Sequence, residues 1–221
     1  MSVWAILVAA GRGERLGQDQ PKAFAKLNDQ ALMAEPLRRL DESDWIDAIV
    51  LVAPPGWEEP AILLAEELGC DKVSACVAGG ERRSDSVRAG LAEVPAYAVV
   101  VLVHDAARPF LPEEVIARVL APLSEGWDGA VPGLRVSDTL KRVASDGGVE
   151  ETISRDGLWA VQTPQAFAAE VLRRAVAGGA DATDCAGLVE AGGGRVKVVE
   201  GDARLLKVTT ADDLAKIASW L

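Results

Sequence analysis

The chain has 221 residues, 49% of them apolar, and a formal net charge of −11. That length suits one large α/β domain with a substantial core, and that charge excludes nucleic acid or an anionic membrane surface as a partner. No apolar stretch reaches the roughly 18 residues a membrane span needs, and no secretory signal opens the chain. Three cysteines in no ligand-like spacing fit reduced thiols in a cytoplasmic protein, and a single histidine excludes chemistry built on several.

Strand-like and helix-like segments alternate along the chain, which predicts an α/β fold with a largely parallel sheet covered on both faces. Residues 3–10 are apolar without alternation and read as a strand buried on both sides. A helix is expected over 31–40, a strand over 46–53, a helix over 58–68 stopped by Gly69, and a strand over 73–77. A helix over 83–93 precedes the most strand-like run, 98–104, and Pro112-Glu113-Glu114 open a helix through 120. Ser145-Asp146-Gly147-Gly148 then marks a hairpin between 138–143 and 149–153. This hairpin carries too many charges for a core element. It is either a solvated flap or an arm, at about 136–157, that packs on a second subunit. Beyond it come a strand at 158–162, a helix from Pro164-Gln165 to 177, a short helix at 184–191, and strands at 195–199 and 205–208. Thr210 and Asp213 form a capping box for a last helix to 221. No repeat or linker divides residues 1–221, so one domain with an inserted arm is expected.

Chemistry concentrates where the first strand ends. Gly11-Arg12-Gly13-Glu14-Arg15-Leu16-Gly17 follow it directly, with Pro21-Lys22 just beyond. Glycines allow positive φ and close backbone approach to a ligand, and open α/β sheets bind ligands at this edge. Arg12, Arg15 and Lys22 put cations there in an otherwise acidic chain. A phosphate cradle explains the pattern, and a plain polar turn with surface arginines is the competing account. The dinucleotide fingerprint would need glycine at position 16 and an acid at the end of the second strand, where Leu16 and Ala53 stand. That weakens a nicotinamide-binding oxidoreductase module as a reading, and no Gly-Lys-Ser/Thr supports a P-loop. A nucleoside triphosphate, neutralised by the loop's own arginine and lysine, remains.

Asp105 lies just past the strand at 98–104, near the same edge. A carboxylate facing a triphosphate is repelled unless it holds a divalent cation, and Mg²⁺ is usually bound by one or two carboxylates with substrate phosphates. An N-cap or a salt bridge to Arg108 would equally explain it. Gly79-Gly80, followed by Arg83, Ser84 and Ser86, makes a second glycine turn able to read a base edge, or an ordinary capped turn. Lys207, Thr139 and Arg155 carry no local signal beyond surface charge. With no hydrolytic triad in sight, phosphate, cation and metal candidates suit nucleotidyl transfer, which needs positioning and charge neutralisation more than covalent work.

The segments AAGRGERLG with PK, GGERRSDSV, VLVHDAARP, DTLKR, ISRDGLWAVQTPQ and LLKVTTADDL together resemble the 2-C-methyl-D-erythritol 4-phosphate cytidylyltransferase family. The likeness runs in order along nearly the whole chain. It implies a Rossmann-like three-layer α/β/α fold with a projecting β-hairpin arm, a homodimer exchanging that arm, CTP, 2-C-methyl-D-erythritol 4-phosphate and Mg²⁺. By motif, Arg15 and Lys22 would stabilise the triphosphate and the pentacoordinate phosphorus. Ala9, Ala10, Gly11 and Gly13 would wrap the nucleotide, Gly80 and Ser86 would contact cytosine, and Ala107 and Arg108 would flank the ribose. Asp105 would bind Mg²⁺, while Thr139, Arg155 and Lys207 would hold the acceptor. The chain departs from the family at Arg204-Leu205-Leu206, where an acid and Asn are usual, and at Cys185, where an acid is usual. Ribitol 5-phosphate is therefore the alternative acceptor, and a non-catalytic nucleotide sensor a further alternative.

Overall fold

The computed structural model describes residues 2–11, 13, 20–178 and 182–220. Strand β1 (Val3–Val8) leads to a single 3-10 turn (Lys22–Phe24) and a small ribbon of β2 (Lys26–Leu27) and β3 (Gln30–Ala31). Then come α1 (Ala34–Glu42), β4 (Ala48–Ala53), α2 (Glu58–Leu68), β5 (Val73–Ala78), α3 (Arg83–Glu93), β6 (Val100–Asp105) and α4 (Glu113–Ser124). The second half holds β7 (Gly129–Arg135), β8 (Leu140–Val143), β9 (Val149–Ile153), β10 (Trp159–Val161) and β11 (Gln165–Ala168). The last elements are α5 (Ala169–Ala177), α6 (Cys185–Ala191), β12 (Val196–Glu200) and α7 (Ala211–Ala218).

The main sheet runs β10-β7-β11-β6-β1-β4-β5, with β12 parallel on β7. Strands β6, β1, β4 and β5 are mutually parallel, so their carboxyl ends meet on one edge. Strand β11 enters antiparallel between β6 and β7. Both faces of β1, β4 and β6 are buried, which explains their unbroken apolar sequence. On one face Leu37, Leu40, Ala61, Val115 and Ile116 of α1, α2 and α4 pack against Leu7, Ile49 and Leu51. On the other, Val87, Leu91, Leu172 and Leu188 of α3, α5 and α6 pack against Ile6, Val50 and Phe167. Each large side chain so buried contributes about 1.5–3 kcal/mol. A smaller cluster ties the β2–β3 ribbon to α7 through Leu27, Leu32, Val208 and Ile217.

Helices α2 and α3 fall where their sequences place them. Gly69 ends α2 at φ +67°, and the Asp85 carboxylate starts α3 by accepting from the Arg82 backbone N–H at 3.3 Å and from its guanidinium. Three expectations are corrected, and one strand went unforeseen. Residues 30 and 31 belong to the ribbon, turning at Asn28 with φ +54°, so the first helix starts at Ala34. Strand β7 was hidden by Pro132 and Gly133, residues that normally argue against an inner strand; its Gly129 is required because a Cβ there would lie 2.3 Å from the Phe167 ring. Residues 165–168 are a strand, not the first turn of a helix, because pairing with β6 and burial of Phe167 outweigh a local Pro-Gln start. Residues 205–208 form no strand; Val208 N–H donates to the Ala107 carbonyl at 2.8 Å and the stretch otherwise follows a turn at Asp202. Strands β8 and β9 do form the expected hairpin, as a separate two-stranded ribbon with mostly exposed residues.

Candidate active site

The edge where β1, β4, β5 and β6 end opens onto a cavity of about 870 Å³. Two glycine turns set its floor. Gly79 packs so closely on β1's exit that a Cβ would stand 2.2 Å from Ala10 Cβ and 2.8 Å from Ser86 Oγ. Gly90 lets α3 lie flat on the sheet, since a Cβ would fall 2.7 Å from Ile6 Cγ2 and 2.8 Å from Val52 Cγ2. Ser86 Oγ accepts from Gly80 N–H at 3.1 Å and donates to the Arg82 carbonyl, bracing the second turn. Gly13, at φ +69°, passes so near Lys22 that a Cβ would lie 2.5 Å from Lys22 Cβ, so the glycine loop and the 3-10 turn are fitted to each other.

Asp105, 6% exposed, is the electrostatic centre. Its Oδ1 accepts from Arg83 Nε at 3.0 Å, and its Oδ2 accepts from Lys207 Nζ at 2.8 Å. Arg83 Nη2 also lies 3.0 Å from Oδ1 and is buried without a hydrogen bond among the described residues, so this second contact is coulombic. Burial alone would raise the Asp105 carboxyl, but the charges of Arg83 and Lys207 more than offset it and hold the group well below the usual carboxylate range. Burial likewise lowers Arg83, and the Asp105 carboxylate reverses that and raises it. Arg83 Nη1 lies 3.4 Å from Cys185 Sγ, whose thiol burial pushes up. All three cysteines are free thiols.

Of the residues the sequence singles out, Ala9, Ala10, Gly11, Lys22, Gly80, Ser86, Asp105, Ala107 and Lys207 all line this cavity. Arg108 does not; its Nη1 donates to the Leu205 carbonyl and its Nε is buried without a hydrogen bond among the described residues. Thr139 and Arg155 lie exposed beside the β8–β9 ribbon, away from the cavity, with Arg155 bonded to the Ser137 carbonyl. Arg15, with Arg12 and residues 14–19, lies outside the described residues. Asp105 pairs with Arg83 and Lys207 rather than with the Arg108 that sequence proximity offered. Sequence reasoning missed that role of Arg83, and it missed Trp57, which walls the cavity beside Pro54-Pro55 and leans on Phe24 with ring centroids 4.7 Å apart. The first position of α3, directly after a glycine turn, was the available signal for Arg83.

Among the described residues no group of three or more acidic, histidine or cysteine side chains could hold a metal. Of the two carboxylates that line the cavity, Asp105 and the exposed Glu81, the buried Asp105 fits Mg²⁺ only if the cation arrives with other oxygen ligands, which is how Mg²⁺ accompanies nucleotide phosphates. No histidine or cysteine lines the cavity among the described residues. Cations, backbone turns and a buried carboxylate at the carboxyl edge of a parallel sheet are the equipment of an α/β nucleotidyltransferase.

The comparisons narrow this class. The family model described as 2-C-methyl-D-erythritol 4-phosphate cytidylyltransferase matches residues 3–221. The relative of that name from Saccharopolyspora erythraea is 47% identical over 219 residues, 97% of each chain. The one from Nocardia farcinica is 44% identical, covering 96% of this chain and 91% of its own. A crystal structure of 4-diphosphocytidyl-2C-methyl-D-erythritol synthase superposes with a TM-score of 0.84 at 32% identity, over 99% of this chain and 97% of that one. The Thermus thermophilus cytidylyltransferase structure gives 0.79 at 31% identity, over 100% and 98%. The chain belongs to the 2-C-methyl-D-erythritol 4-phosphate cytidylyltransferase family. It is a cytidylyltransferase of isoprenoid precursor biosynthesis, with CTP and 2-C-methyl-D-erythritol 4-phosphate as its substrates.

Proposed function

We propose that the transfer takes place in the cavity described above, with the triphosphate over Ala9, Ala10, Gly11 and Gly13 and the cytosine against Gly80 and Ser86. Ala107 flanks the ribose, and Arg108, which stands outside the cavity, braces that turn from behind through the Leu205 carbonyl. A phosphate oxygen of the acceptor attacks the α-phosphorus in line. The new P–O bond forms as the bond to the β-phosphate oxygen breaks, and pyrophosphate leaves. That attacking oxygen is already anionic near neutral pH, so no general base is required. Lys22 and Arg15 stabilise the charge that builds on the pentacoordinate phosphorus, and Lys207 holds the acceptor phosphate. Asp105 would hold Mg²⁺ together with triphosphate oxygens, and the cation would neutralise phosphate charge.

Thr139 and Arg155 complete the acceptor site from the arm of a second subunit, in a cytoplasmic homodimer. Their exposure in the single chain supports that reading, because a C2 pair would cover both arms at once. No helix among the described residues is long and apolar enough to cross a membrane.

One observation carries the mechanism: Lys22, Lys207 and Asp105, drawn from three distant parts of the chain, line one cavity. Pyrophosphate release from CTP and Mg²⁺ tests it, with methylerythritol 4-phosphate and ribitol 5-phosphate offered separately. Release with the first acceptor is expected. Release with ribitol phosphate alone would replace the acceptor, and release with neither would overturn the site.

A further inference from the structure

His104 is the chain's only histidine, it is fully buried, and no step above uses it. Its hydrogen bonds nevertheless fix its state. Nε2 lies 3.0 Å from the Arg108 carbonyl oxygen, which can only accept, so Nε2 carries the proton. Nδ1, 3.1 Å from Thr163 Oγ1, is then the bare nitrogen and accepts the threonine hydroxyl. That hydroxyl oxygen in turn accepts from the Asp105 backbone N–H at 3.1 Å. Donation therefore runs one way, from Asp105 N–H through Thr163 to His104 Nδ1, while His104 Nε2–H ends on Arg108. The relay grips both ends of the 105–108 turn, which Arg108 N–H closes onto the Asp105 carbonyl at 2.9 Å. Because the Asp105 N–H can only donate, the buried Thr163 hydroxyl hydrogen has His104 Nδ1 as its acceptor among the described residues, which requires that nitrogen to be bare.

We propose that His104, as its Nε2-protonated neutral tautomer, and Thr163 are positioning residues for nucleotidyl transfer: they set the 105–108 turn and through it the aim of the Asp105 carboxylate, touching no substrate themselves. The proposal rests on the reading of Asp105 given above. A hydrophobic-packing role would need only the ring's volume, whereas this relay needs a hydroxyl at 163 and one particular tautomer at 104. Strand β11 begins two residues after Thr163, so the relay also ties β6 to the entry of its antiparallel neighbour.

With one histidine, the imidazole ¹⁵N spectrum of the intact protein reports this tautomer without assignment. The Nε2–H form is expected, and the Nδ1–H form would overturn the proposal even if every variant failed to fold. Thr163→Val keeps the side chain's shape and removes the hydroxyl. It should lower kcat/KM for CTP in excess Mg²⁺ roughly 10- to 100-fold, in line with the loss of an outer hydrogen bond to a ligand-holding group, and Thr163→Ser should restore most of it. Equal losses in both variants, or none in Thr163→Val, would overturn the relay. Asp105→Asn run alongside separates the two readings. If it is inactive while Thr163→Val matches the wild type, the relay alone fails; if Asp105→Asn keeps full activity, the Asp105 reading fails and takes the relay with it.

Discussion

The cavity edge and the β8–β9 arm carry similar side chains on opposite kinds of support. At the edge, Lys207 is paired to a carboxylate that is itself 6% exposed, and Lys22 is fitted against a glycine turn. On the arm, the Arg142–Glu151 pair has side chains 61% and 54% exposed, and Val143 and Val149 are 51% and 63% exposed. Cations at the edge are preorganised by their own chain before any substrate arrives. Those on the arm, Lys141, Arg142 and Arg155, have only exposed partners, and a covering surface would fix them further. On the proposed reading, the body would bind and activate a nucleotide alone, while acceptor capture would depend on assembly.

Lys22→Ala is the strongest test of the preorganised half. A cation aimed at charge that develops in the transition state should cost about 10²- to 10³-fold in kcat when removed, with KM for CTP little changed. Steady-state kinetics in CTP check it, and equal losses in kcat and CTP affinity would make Lys22 a ground-state anchor only. Arg155→Ala is the counterpart on the arm. It should raise the acceptor KM about 10- to 100-fold, the cost of one charge-assisted phosphate contact of about 1.5–3 kcal/mol, and leave the CTP KM near wild type. The reverse pattern would end the arm's role at the acceptor.

The contrast also explains what the sequence made legible. The parallel sheet, the glycine turns, Gly69 and the hairpin announce themselves within a few residues, because strand period, positive φ and turn chemistry are local. Asp105 and Lys22 were legible for the same reason, each standing at the end of an apolar strand or beside glycines. Pairings that span the chain were not. Arg83 reaches Asp105 across 22 residues and Lys207 across 102, while His104 meets Thr163 across 59. Nothing near Arg83 distinguishes an ion pair from a solvated cation. Residues 165–168 were misread for a related reason: their fate is set by β6, and their own composition favours helix. The motif resemblance supplied roles for Thr139 and Arg155 that neither composition nor a single chain's geometry carries.

Rigidity of the edge can be tested away from the chemistry. Gly90→Ala would press a methyl against Ile6 and Val52 at 2.7 and 2.8 Å, and overpacking of that kind should destabilise by roughly 1–2 kcal/mol. Thermal or urea unfolding measures it. Because α3 carries Arg83 and follows the Gly79-Gly80 turn, CTP affinity should fall as well, whereas an equally destabilising change on the face packed by α4 should leave it intact. Stability lost without any change in CTP binding would mean the close approach of α3 is a packing matter only.

The smallest effect belongs to the arm's own ion pair. Arg142 and Glu151 face each other across β8 and β9 at 3.3 Å, both more than half exposed in the single chain. Exposed pairs contribute about 0.2–1 kcal/mol and weaken as salt screens them. A double-mutant cycle of Arg142→Ala and Glu151→Ala should therefore give a coupling of about 0.5 kcal/mol or less at low protein concentration, fading with added salt. In a homodimer that covers this pair, the coupling would instead grow with protein concentration and resist salt, since burial lowers the local dielectric. Arm and edge would then differ less than the isolated chain suggests, with the second subunit giving the arm the enclosure that Asp105 has from its own fold. If the coupling stays small at concentrations where the dimer is fully formed, these two side chains lie outside the interface, and any covering of the arm must fall nearer Thr139 and Arg155.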